Sequence, residues 1–121
     1  MKIAMACDHG AFTYKEEIKK MLTDEGYEVV DCGCHSEASV DYPDLAEACA
    51  NKVKGIRCGL CTNSTMARLT REHNNANMLA MGQRTTGIEV AKEIVHTFLT
   101  TKFSEGERHI KRIEKISNLE K

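Results

Sequence analysis

The sequence predicts an α/β fold in which a parallel sheet is covered by helices on both faces, and three observations carry that expectation. Short apolar runs with strand character alternate with longer segments whose apolar residues recur at helical spacing. The alternation is punctuated by helix start and stop signals, including Pro43, Gly26 and the stretch Thr86 to Glu89. No repeat, low-complexity segment or linker interrupts the 121 residues, so one domain is expected across 1–121.

The first run, "KIAMAC", stops at Asp8, His9 and Gly10, and Phe12, Ile18, Met21 and Leu22 then follow at helical spacing. Gly26 closes that helix, because glycine enters the left-handed conformation of a helix end without a Cβ clash. "YEVVDCG" supplies a second strand, and a polar loop with Ser36, Glu37 and Ser39 leads to "DYPD". There Asp41 or Tyr42 can precede a short helix through Leu45, Ala48 and Val53, whose first residue Pro43 lacks only an N–H that the helix would leave unused. "GIRCGLC" reads as the next strand, "STMARLTREHNNAN" as a helix with a polar end, and "MLAMG" as a strand. Thr86-Gly87-Ile88-Glu89 has the form of a capping box, opening a helix with Ile88, Ala91, Ile94, Val95 and Phe98 along one stripe. Ser104 to Glu107 repeats the signature before a terminal helix over about 105–119, with Ile110, Ile113 and Ile116 spaced by three. Met66, Met78 and Met81 read as core.

Composition excludes several classes of function. Basic and acidic residues number 17 and 18, so the overall field recommends neither nucleic acid nor an anionic membrane as partner. "NMLAM" is too short to cross a bilayer and "MKIAMAC" reaches Asp8 before a signal core forms, which makes a cytoplasmic protein the expectation. The six cysteines include "CGC" at 32–34 and "CGLC" at 58–61. On a strand, Cys58 and Cys61 point to opposite faces, since their spacing is odd, and cannot grip one ion. Buried reduced thiols are the reading; a cysteine-ligated zinc site is the alternative.

In an open parallel sheet, ligands bind beyond the carboxyl ends of the strands, which singles out the polar residues there. Asp8 and His9 could exchange protons or hold a sugar hydroxyl, or they could simply cap the next helix, as adjacency alone favours. His73, with Arg71, Asn74 and Asn77 around it, could act as an acid or base or only complement a helix dipole. Arg108 and Arg112, four apart, place two guanidiniums on one helical face, a fork suited to phosphate or an ordinary solvated face beside Lys111 and Lys115. Arg57 and Arg84 read as surface charges. As a set, these residues point to a phosphorylated small molecule in a polar cleft, with two histidines available for proton transfer.

The motifs "ACDHGAF", "SVDYPD", "ANKVKGIR", "REHNNANMLAMG" and "GERHIKRIEKI", in that order, resemble ribose-5-phosphate isomerase B and galactose-6-phosphate isomerase over nearly the whole chain. The resemblance implies a Rossmann-like three-layer α/β/α sandwich, a homodimer or homotetramer with sites shared between subunits, and no metal or other cofactor. It implies interconversion of an aldose phosphate and a ketose phosphate through an enediolate, most directly ribose 5-phosphate and ribulose 5-phosphate. By that analogy His73 assists ring opening, and Asp8 touches the ring oxygen or hydroxyls. His9, Arg108 and Arg112 bind phosphate, Asn74 orients a hydroxyl and Tyr42 lines the cleft.

The sequence also departs from the pattern. Gly10-Ala11 stands where the family has Gly-Gly, and Glu107 stands beside the proposed phosphate fork. Roughly two dozen residues are missing between Glu47 and Ala50: in the family a strand and a Gly-Thr-Gly loop occupy that place, with the enediolate-binding amides and, in ribose enzymes, the cysteine base. Cys49, at the junction, has only Lys52 nearby to activate it. The fold is therefore expected to lack one family strand, with catalysis impaired. A galactose-6-phosphate isomerase subunit and a non-catalytic phosphosugar-binding or assembly protein are the alternatives.

Overall fold

The computed structural model describes residues 1–33, 35 and 53–121. The expected short helix after Pro43, together with Tyr42, Cys34 and Cys49, lies outside the described residues. The chain divides into two compact units, Met1–Ala48 and Cys49–Lys121.

The first unit is a βαβ unit. Strand β1 (Lys2–Met5) pairs in parallel with β2 (Glu28–Asp31), in a register that sets Ile3 opposite Val29 and Met5 opposite Asp31. Between them, a single 3-10 turn (His9–Ala11) runs into α1 (Phe12–Asp24). Helix α1 ends as Gly26 predicts: Gly26 adopts φ +89°, its N–H bonds Thr23 O and the Tyr27 N–H bonds Leu22 O, each at 3.0 Å. This is the paired closure that occupies the last free carbonyls of a helix. Ile18 and Leu22 form its buried face. Both strands alternate between exposed and half-buried residues, and Val30 is 39% exposed. Their runs are short enough that period-two alternation and a continuous apolar run read alike in the sequence.

Helix α1 is fastened to β2 by charge. The Lys15 ammonium, its side chain only 2% exposed, lies 2.7 and 2.5 Å from the two Asp31 carboxylate oxygens and 3.2 Å from Gly33 O, while Lys19 adds a contact at 3.1 Å. Burial pushes the Asp31 carboxyl upward, but hydrogen bonds from Lys15, Lys19 and the Gly33 N–H outweigh it and hold the group at about 2.

The second unit repeats the βαβ plan. Strand β3 (Cys58–Leu60) pairs in parallel with β4 (Met78–Ala80), with α2 (Ser64–Asn74) between them. Two helices follow, α3 (Ile88–Thr100) and α4 (Glu107–Leu119). Cys61, Ala67, Ala76, Ile94 and Phe98 make the buried core, with Leu79, Met81 and Leu99 against it. Gly59 marks a close approach of α2 to β3, since a Cβ there would come within 2.7 Å of Thr70 Oγ1. Met66 is 40% exposed rather than core, because the next residue, Ala67, takes the inward position on α2. The Ile110–Ile113–Ile116 series is not the buried stripe either: spacing of three slips backward around a 3.6-residue helix, and the buried residue of α4 is His109.

Neither expected capping box forms. Gly87 is the N-cap of α3 and Gly106 that of α4, neither with a side-chain cap. The Thr86 N–H is taken by the turn to Gly82 O, 3.0 Å away, and the Thr86 hydroxyl is buried. Ser104 spends its hydroxyl on Glu72 O of α2. Asn63 supplies instead a cap absent from the sequence reading, accepting from the Met66 N–H at 2.9 Å. Among the described residues, no helix is long and apolar enough to cross a membrane.

Asp31→Asn would remove the nearest counter-charge of the buried Lys15 ammonium, and we expect a loss of about 3 kcal/mol in urea unfolding at pH 7. Because the folded carboxyl is depressed, the stabilisation is complete above the unfolded value near 3.8 and is lost as pH falls toward about 2. The deficit of the variant should therefore shrink in parallel titrations below pH 4; a constant deficit down to pH 2 would disprove the assignment.

Candidate functional site around the end of helix α2

The residues singled out in the sequence fall in both units. Asp8 and His9 stand just beyond the carboxyl end of β1 in the first. The Asp8 carboxylate accepts from the Ala11 N–H at 3.1 Å and so caps the 3-10 turn, the modest role that adjacency favoured; His9 is exposed. A carboxylate has several acceptor positions, so one such bond leaves capacity for a hydroxyl.

His73, Asn74, Arg108 and Arg112 belong to the second unit, where the last turn of α2 meets the first turn of α4. Asn75, at φ +45°, ends α2 in the left-handed conformation that asparagine tolerates better than most residues. Arg57 then covers the helix end, donating from Nε to Asn74 O and Asn75 O at 3.1 and 3.0 Å and from Nη2 to Asn75 O at 2.9 Å. It is a capping group, not the surface charge its sequence context suggested. Asn77 braces the same corner, accepting from the Arg57 N–H at 2.8 Å and donating to Gly55 O at 2.8 Å.

Arg71 is the tie the sequence reading passed over. Its Nη1 donates to Ala76 O and, at 3.2 Å, to Asn75 Oδ1; its Nε donates to Thr101 O at 3.2 Å; its guanidinium carbon lies 5.5 Å from the centre of the Phe98 ring. One residue further along α2, Glu72 O accepts from both the Ser104 hydroxyl (2.6 Å) and the Ser104 N–H (3.1 Å). The chain between α3 and α4 is thus bonded to α2 immediately before His73.

That arrangement delivers His109 to His73. The two imidazoles stack with centroids 4.4 Å apart and planes within 10° of parallel. Arg108 Nε lies 3.4 Å from His109 Nε2. Burial, followed by the neighbouring His73, Arg108 and Arg112, holds the His109 imidazole below the usual histidine range. Asn74, Arg108 and Arg112 are exposed, so their polar ends face water. The site therefore presents a half-buried imidazole backed by a buried one, with an exposed amide and two guanidiniums on the flanking turns. Imidazoles can exchange protons and guanidiniums can pair with an anion, so the arrangement has the groups for both.

His109 was missed in the sequence because it sits inside "ERHIKR", where a histidine reads as one more member of a basic face. The only available signal was its spacing, one position off the isoleucine series. Among the cysteines, Cys61 is a buried thiol whose ionisation is pushed up first by burial and then by Cys58. It is packing, as expected of that residue. Among the described residues, no three His, Cys, Asp or Glu side chains are grouped to hold a metal ion.

The model of the family described as Ribose/Galactose Isomerase matches residues 3–50 and 47–116. The chain belongs to that family. It is 37% identical to ribose-5-phosphate isomerase B of Escherichia coli, over 98% of this chain and 96% of that protein, and 31% identical to ribose-5-phosphate isomerase B of Mycobacterium leprae, over 100% and 91%. Among solved structures, ribose-5-phosphate isomerase B of Clostridium thermocellum matches at 44% identity with a TM-score of 0.92, over 99% of this chain and 97% of that one. A ribose 5-phosphate isomerase of Thermotoga maritima matches at 44% and 0.90, over 97% of each. The fold is accordingly α/β and Rossmann-like, as expected. The alignment to the Escherichia coli relative runs over 144 positions against the 121 residues of this chain, so at least 23 positions of it have no residue here. The family model breaks into two matches that meet at residues 47–50, where the sequence reading placed the missing segment.

Arg71→Ala should lower stability by about 2–3 kcal/mol, through loss of charge-assisted bonds to two buried-side carbonyls, and depress Tm by several degrees in a thermal melt followed by circular dichroism. Arg71→Lys should recover less than half of the loss, because an ammonium cannot span Ala76 O and Thr101 O together while lying on the Phe98 ring.

Proposed function

We propose that the protein is a sugar-phosphate aldose–ketose isomerase that interconverts ribose 5-phosphate and ribulose 5-phosphate. The observation that carries this reading is the half-buried His73 imidazole at the end of α2, held beside the Arg108/Arg112 turn of α4, in a chain of the ribose/galactose isomerase family.

In this reading the reaction has three requirements, and the residues divide between them. The sugar ring must open, which needs a proton moved at the ring oxygen; His73 does this, with Asp8 holding the ring oxygen or an adjacent hydroxyl. The phosphate must anchor the substrate so that these groups meet it in a reactive geometry; His9, Arg108 and Arg112 serve that purpose, and Asn74 orients a hydroxyl. A proton must then pass between C2 and C1 through an enediolate. That step falls to the stretch in which the chain is short of its relatives, so turnover is expected to be slow. Arginines on an exposed helical turn also suit a site completed by a second copy of the chain, and we propose a homodimer with shared sites.

The same gap favours a second reading, a phosphosugar-binding protein without turnover, since at least 23 positions of the aligned Escherichia coli enzyme have no residue here. Two measurements separate the readings. Formation of ribulose 5-phosphate from ribose 5-phosphate, followed optically, establishes the enzyme. Calorimetric binding of ribose 5-phosphate to the folded protein with no turnover establishes the binder. If neither occurs, both readings fail.

With turnover in hand, His73→Asn should lower kcat by about 100-fold with ribose 5-phosphate while leaving binding of the phosphate nearly intact. Arg108→Ala and Arg112→Ala should instead raise KM by about tenfold each and make it more sensitive to salt. The reverse pattern, a kcat loss from the arginines and a KM loss from the histidine, would reject these roles.

A further inference from the structure

We propose that His109 is a positioning residue for His73: its ring, wedged face to face against the His73 imidazole, fixes the plane in which that imidazole meets a substrate. The inference rests on the isomerase reading for its consequence, but its geometric content stands apart from it.

The geometry supports the assignment from four sides. The rings lie 4.4 Å apart and within 10° of parallel, the contact of a stacked pair rather than a passing one. His109 is buried, 6% exposed, whereas His73 keeps one part toward water, so the first can serve as wall and the second as working group. Behind His109 the backbone leaves no slack: a Cβ on Gly106 would sit 3.1 Å from His109 Cδ2, and the His109 N–H bonds Gly106 O at 2.8 Å. Finally, the two helices cannot slide freely past each other, because Ser104 is bonded twice to Glu72 O, the carbonyl adjacent to His73.

Burial first, then His73 on α2 and Arg108 and Arg112, one turn apart on a face of α4, disfavour a proton on His109. Protonation of His109 is thus disfavoured, and its ring offers a flat face beside the guanidiniums.

The test uses the full-length protein and a readout independent of turnover. In a histidine-labelled sample, the His73 ring resonance, identified by its disappearance in His73→Asn, should lie upfield because it sits over the His109 ring. In His109→Ala it should move downfield and broaden; in His109→Phe, which keeps a ring in the same place, it should stay upfield. With ribose 5-phosphate, His109→Ala should lower kcat about tenfold, the scale expected when a reacting group loses its alignment, with KM changed less than twofold. His109→Phe should recover most of the loss. Should His109→Ala fail to fold, His109→Leu, which fills the apolar volume without a ring, takes its place in both measurements. A His73 resonance unmoved in a folded ringless variant overturns the proposal whatever the activity. Absence of turnover in the unmodified protein bears on the isomerase reading alone, and the resonance shift still decides the positioning role.

Discussion

The guanidinium of Arg71 is the constraint on which the second unit depends. It satisfies Ala76 O just beyond the end of α2, reaches Thr101 O just beyond the end of α3, and lies over the Phe98 ring of the core. A planar group with a fixed fork of donors can make those contacts at once, which a flexible ammonium cannot. Because the contacts come from both helix ends, they fix where the chain leaves α3. Ser104 then closes onto Glu72 O and α4 starts beside His73. The candidate site is thus a by-product of helix termini: Arg57, Arg71 and Ser104 satisfy backbone carbonyls at the end of α2, and the histidine that can do chemistry sits in the same turn.

The first unit is held by a different device. There the apolar face of α1 is small, with Ile18 and Leu22 its buried members, and a lysine is buried among them. Asp31 and Gly33 O receive the buried Lys15 ammonium, and Glu16 lies 3.5 Å from it. Asp31 stands at the end of β2, so the pair fixes the helix against the carboxyl end of the strand. The same end of β1 carries Asp8 and His9. Electrostatics rather than apolar area therefore sets the geometry near that rim.

The position at which the chain is short of its relatives coincides with two other boundaries. The family match divides at residues 47–50, and the compact units divide between Ala48 and Cys49. Each unit keeps a complete βαβ element with its own parallel pair. A segment lost between two such elements leaves each able to form its own hydrogen bonds and its own core, which is why a shortened chain can retain the family's local structure on either side.

The sequence alone determined the order of the described elements, the α1 stop at Gly26 and the terminal helix, and it supplied the residues to which the proposed sugar-phosphate roles are given. These are local properties: apolar periodicity, a glycine that accepts positive φ, and short motifs in a family's order. The tertiary structure decided which polar groups face each other. The two apparent capping boxes gave way to Gly87 and Gly106: the Thr86 N–H goes to Gly82 O, and the Ser104 hydroxyl to Glu72 O. Arg57 and Arg71 became clamps because helix ends left carbonyls for them, and His109, off the isoleucine series, became the buried face of α4. Hydrogen-bonding groups are short-ranged and take the nearest partner that folding supplies. That partner is set by packing across many residues, which no local pattern records.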